Sequence, residues 1–273
     1  MMKRLLPALT IASLALSVAF PAATFAHDNA ANTDATSTAS AQARCVKTAD
    51  QWIKNLADTQ AKLADKQEKV KINTDARTEK MRSKVDSRIE DVRASSTARL
   101  TKMRGMGNMW FAKHVNSDAL KAAITTHQAA VDAAMKARQT AVDAARATYR
   151  SATDAALKTR QDAVTAALKT RQDAILAAAN AYKQSCTGSA SDIKTARQTF
   201  MKAANDARTT YMTAVKTAQK TYSDATKPAR ETLNAAIKTA NTTFNAAIKA
   251  ANDALKAALQ AAKSATSTTS TTP

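Results

Sequence analysis

The sequence predicts an all-α protein: an elongated antiparallel three-helix bundle, or coiled coil, built on eleven-residue repeats. Three observations carry that prediction. From Ile193 to Leu259 large apolar residues recur alternately seven and four apart, through Phe200, Ala204, Tyr211, Val215, Tyr222 and onward, with alanine in the slot between at Ala196, Ala207, Ala218, Ala229, Ala240, Ala251 and Ala262. Such a 3, 4, 4 stripe lies on one face of a helix, and about 3.67 residues per turn suits a long, straight or slightly right-handed coiled coil. Second, the 273 residues hold only three glycines and four prolines, far below the usual shares of about 7% and 5%. Third, the glycines fall at two places, Gly105 with Gly107 and then Gly188, where the pattern lapses, so the chain divides into three long segments.

Taken in order, residues 1–26 read as a signal peptide: Lys3 and Arg4, an apolar run from Leu5 to Phe20, and a small-residue end at Ala26. Thr10, Ser13 and Ser17 interrupt a run shorter than the ~20 apolar residues of a spanning helix, and the expectation is an exported product. Residues 27–41 are polar and without period, a flexible tether. The first helix is expected over about 42–104, where Val46, Ile53, Leu56, Leu63, Val70, Met81, Val85, Val92 and Met103 recur at helical spacings, ending at Gly105. The second spans about 117–186 and contains two nearly identical units, AALKTRQDAVT from Ala155 and AALKTRQDAIL from Ala166, the mark of internal duplication. Thr187 to Ser191 then supply a helix end, a turn and a new cap, with Ser191 as the expected N-cap. The third helix covers about 192–264. Pro228 lies inside it, and because the repeat continues through this residue a kink is expected rather than a stop. Residues 265–273, rich in serine and threonine, form a disordered tail.

Short connections favour folding back, and the two cysteines bear on this independently. An up-and-down hairpin brings Cys45, at the start of the first helix, to Cys186, at the close of the second, whereas a continuous rod separates them by some 200 Å at ~1.5 Å per residue. A disulfide is therefore expected, export supplying the oxidising compartment; free thiols or an interchain bridge are the other readings.

Charge bounds the partners. The formal net charge is +19, the pI about 10.1, and the excess is spread: 17 basic against 9 acidic residues over 42–116, 10 against 6 over 117–191, and 12 against 5 over 192–273. Such a chain attracts polyanions, and an anionic polymer or anionic membrane surface is the expected partner; a merely solvated basic surface is the alternative. Within the second helix Arg138, Arg160 and Arg171 stand in the slot that alanine fills elsewhere. They either snorkel at the seam edge or form a ladder for anionic groups. Met106, Met109, Trp110 and Phe111 gather at the expected first hairpin, where they cap the bundle end or present an interaction tip for a protein partner or membrane.

Catalysis finds no support. His27, His114 and His127 show no metal spacing, no glycine-rich phosphate loop occurs, and no nucleophile has a base in prospect, so neither an enzyme nor a cofactor is expected. The eleven-residue Ala, Lys and Thr repeats over Ala122 to Leu259 resemble, in period, those of late embryogenesis abundant proteins and more loosely exchangeable apolipoproteins and synucleins. That resemblance implies folding on an anionic lipid surface. The leading expectation is an exported, periplasmic or extracellular spacer or scaffold, a monomer or weakly self-associating; a membrane-coating protectant and a basic periplasmic holdase are the alternatives.

Overall fold

The computed structural model describes residues 35–114 and 117–268, and among these it is helical throughout apart from one tight connection. Helix α1 spans Ala35–His114, α2 Asp118–Gln184 and α3 Ala190–Thr268, with a short 3-10 turn, Ser185–Thr187, after α2. At 80, 67 and 79 residues the helices run about 100–120 Å at ~1.5 Å per residue. The signal peptide 1–26, the tether up to residue 34 and the tail from residue 269 lie outside the described residues.

The ends of the helices correct the sequence expectations. α1 begins at Ala35 rather than 42: Arg44 reaches back to the carbonyl and hydroxyl of Ser40 (3.3 and 3.4 Å), and Gln42 donates to the carbonyls of Thr187 and Gly188 (2.9 and 3.1 Å). α1 also does not stop at Gly105 but passes through both glycines to His114. Each glycine costs about 1 kcal/mol in a helix interior, and contacts to α2 on either side offset that: Arg104 donates to Asp132 and to the Gln128 carbonyl, and Gln128 donates to Asn108 (3.0 Å). α3 extends to Thr268, past the expected limit at 264, and runs through Pro228 without a stop.

Ser189, not Ser191, caps α3. Its hydroxyl accepts from the Asp192 N–H (3.3 Å), while the Asp192 carboxylate accepts from the Ser189 N–H (2.9 Å) and hydroxyl (2.7 Å), a reciprocal capping box. These bonds hold the Asp192 carboxyl below its usual pKa. Gly188 lies at φ −81°, so its glycine answers crowding: a Cβ here would meet the Asp192 Cβ at 2.9 Å.

The packing is that of a helical bundle whose three helices are bound unequally. At the cysteine end all three share a core of Cys45, Ala49, Leu56, Ile175, Ala179, Tyr182, Cys186, Phe200, Ala204 and Ala207, each buried. Further along, α2 and α3 stay close, with Ala156 and Leu168 buried on one and Ala218, Ala240 and Ala251 on the other; alanine costs no side-chain entropy and allows close backbone approach. α1 behaves differently. It meets α2 through a row of ion pairs, Arg82–Asp154, Arg93–Asp143 (2.5 Å) and Arg104–Asp132 (2.8 Å), in which the arginines step up and the aspartates step down by eleven. Arg150–Asp86 adds a bond in the other direction.

That row displaces the apolar stripe expected of α1. Met81, Val92 and Met103 each precede an arginine of the row by one residue, which is about 100° around a helix, and with Val70 and Val85 they are 40 to 65% exposed. The apolar row of α1 thus lies a quarter-turn off its contact with α2.

A pH response follows. Hydrogen bonds from Arg150 and Arg104 hold the carboxyls of Asp86 and Asp132 below the usual carboxylate range. A carboxylate depressed by folding lends stability above its unfolded pKa, about 3.9, and loses that contribution as pH falls through its folded value. α1 is therefore expected to loosen from α2 below about pH 4, ahead of the α2–α3 seam, which is held by alanine packing and stacked arginines. Hydrogen exchange at pH 7 and pH 3, corrected for intrinsic rates, should show protection falling first along α1; equal losses in α1 and α3 would count against the ionic row.

Candidate functional site

The three candidate arginines of α2 all lie in the α2–α3 seam, each over a ring of α3. Arg138 stands 5.4 Å from the Phe244 centroid, Arg160 5.7 Å from Tyr222 and Arg171 5.6 Å from Tyr211. Moving eleven residues up α2, from Arg160 to Arg171, moves the ring partner eleven residues down α3, and Tyr182 meets Phe200 (6.2 Å) at the next step. Arginine over an aromatic face is attracted by the ring quadrupole, by about 0.5–1 kcal/mol when exposed and 2 or more when desolvated. The ladder thus uses its guanidinium faces for packing against the rings.

The rungs differ. Arg138 is exposed, and its Nε donates to Asn241 (2.6 Å); one repeat away His127 shares a hydrogen bond with Asn252 (2.8 Å). Arg160 and Arg171 are half-buried, and desolvation pulls their pKa below the ordinary guanidinium value. The Nε of Arg171 is buried and has no hydrogen-bond partner.

Arg171 is also where the third helix closes over the ladder. A cleft of about 90 Å³ opens between α1, α2 and α3, with Leu56, Leu63, Ile175 and Ala204 along its apolar wall and Gln60, Asn205, Arg171 and Arg208 supplying polar groups. Among the described residues no carboxylate lines it. Arg208 is close enough to Arg171 to lower the latter's pKa further. Sequence reasoning singled out Arg171 but missed Arg208, which sits on the opposite helix and is brought near by the register alone.

Cys45 and Cys186 are joined by a disulfide, Cα to Cα 5.5 Å, closing a sequence separation of 141. Next to it Trp52 stacks on Tyr182 (5.2 Å) and on Phe200 (5.0 Å), so one aromatic cluster ties the three helices together.

The hairpin-tip residues are placed by the longer α1. Met106 and Met109 sit on its last turns, 52% and 64% exposed; the side chains of Trp110 and Phe111 lie outside the described residues. Among the described residues no group of three or more His, Cys, Asp or Glu is placed to hold a metal ion, and no helix is long and apolar enough to cross a membrane. No protein-family model, curated protein or solved structure matches the chain.

Proposed function

We propose that the chain is a non-enzymatic, exported helical spacer or scaffold that associates electrostatically with anionic polymers or anionic surfaces in the cell envelope or outside the cell. In this reading the bundle is an antiparallel rod on eleven-residue repeats. Partner numbers that fall as the other helix rises support that geometry, both in the Arg–Asp row of α1 and α2 and in the Arg–ring ladder of α2 and α3. A rod some 100 Å long at ~1.5 Å per residue suits spacing better than chemistry.

The observation that carries the anion association is the basic surplus on each of the three helices, on a fold that puts most lysines and arginines at the surface. Removal of the leader takes Lys3 and Arg4 with it and leaves a net charge of about +17. The test is sedimentation with vesicles containing anionic or only zwitterionic lipid, and with polyphosphate, across a salt series. Binding to the anionic probes alone, lost between about 0.05 and 0.5 M salt as screening grows, is the expected result, with circular dichroism equally helical before and after binding. Absence of binding at low salt would overturn the reading, and helicity that appears only with vesicles would replace it with the membrane-coating one.

A further inference from the structure

We propose that the three-helix cleft at Arg171 and Arg208 is a binding site for an anionic amphiphile, its oxyanion head held by the two guanidinium groups and its alkyl chain laid on the apolar wall; a medium- or long-chain carboxylate is the simplest such ligand. This site is distinct from the general basic surface and does not depend on association with polymers or membranes.

The electrostatics of the cleft call for an anion. Two arginines from facing helices come together there, among the described residues no carboxylate lines the walls, and neither arginine forms any of the ion pairs seen along the bundle. The Arg171 Nε is buried and unpaired, so this guanidinium carries a donor that the protein itself does not satisfy. The Arg171 guanidinium lies over the Tyr211 ring, and its planar fork matches the two oxygens of a carboxylate. An oxyanion between Arg171 and Arg208 would offset the charge of both guanidinium groups and relieve their mutual repulsion.

The wall chemistry selects the rest of the ligand. Leu56, Leu63, Ile175 and Ala204 offer an apolar surface beside the charged end, and Met201, 40% exposed, stands at the margin. About 90 Å³ is smaller than the ~150 Å³ of an engineered cavity that accepts benzene, so the space holds a head group and a few methylenes, the chain leaving through the open side. Gln60 and Asn205 provide neutral amides near the head. Arg138 has no comparable site: its Nε is already bonded to Asn241, and it is exposed.

Titration calorimetry on the whole oxidised chain tests this with three probes: decanoate, decan-1-ol and inorganic phosphate. Saturable binding of one decanoate per chain is expected, at least tenfold tighter than either of the other two, with Arg171→Gln and Arg208→Gln each weakening it at least tenfold. Arg230→Gln, an exposed arginine of α3 outside the cleft, should leave it unchanged. Decanoate should raise the melting temperature of the parent chain and leave those of the Arg171→Gln and Arg208→Gln chains unchanged. Phosphate binding as tightly as decanoate, decan-1-ol binding as tightly, or equal losses in Arg230→Gln and Arg171→Gln would each overturn the proposal. If Arg171→Gln failed to fold, Arg208→Gln, altered at an exposed position, would carry the same comparison.

Discussion

Phe200→Ala is expected to lower the stability of the bundle by about 3–5 kcal/mol, the range for emptying a buried aromatic site. Phe200 is 1% exposed. Its ring lies 5.0 Å from Trp52 of α1 and 6.2 Å from Tyr182 of α2, so this one side chain of α3 bridges to both other helices. Truncation leaves a cavity where three long helices meet, and it removes two aromatic contacts worth about 0.5–1.5 kcal/mol each beyond their buried area. The neighbours are poorly placed to collapse into the gap, because the disulfide ties Cys45 and Cys186 together within the same core. Urea unfolding followed by circular dichroism measures the loss. Phe244→Ala serves as the comparison, since that ring is only half-buried beneath an exposed arginine and should cost clearly less; equal losses would mean the cysteine-end core is not the anchor of the fold.

The same residues explain what could be read from the sequence. α3 packs along one face against α2, and its alanines at 207, 218, 240 and 251 are among the most buried residues of the chain, so the apolar period alone locates its seam. α1 defeats that logic below the cysteine end, because the row it turns toward α2 is ionic. A search for apolar spacing finds Met81, Val92 and Met103; the contacts fall one residue later, at Arg82, Arg93 and Arg104. Their eleven-residue spacing, matched by Asp132, Asp143 and Asp154, was nevertheless present in the sequence as a period of charge. Helix ends were harder still. Gly105 and Gly107 look like a stop until Gln128 and Asp132 on another helix are known to hold Asn108 and Arg104. Nor does any single helix pattern pair Arg171 with Arg208, since that depends on the register between α2 and α3.

Removing the Cys45–Cys186 bridge, by reduction or as Cys45→Ser with Cys186→Ser, is expected to cost up to about 5 kcal/mol in the chain-entropy picture, given so long a loop. More telling is where that loss should appear. Among the described residues the buried core that α1 shares with the other helices lies around Cys45, Ala49, Trp52 and Leu56, and further along α1 meets α2 through partly exposed ion pairs, each contributing about 0–1 kcal/mol. Without the clasp, α1 is held by the packing of that core at the cysteine end and, beyond it, by these ion pairs. The α2–α3 pair does not depend on the bridge: its alanine seam and Arg–ring stacks span both helices. Limited trypsin digestion and hydrogen exchange of the reduced chain should therefore show α1 cut and exchanging first, with α2 and α3 still protected, and thermal unfolding should separate into two steps. Simultaneous loss of all three helices would mean that α1 is integral to the α2–α3 seam, and unchanged protection of α1 would mean that the ionic row suffices to hold it.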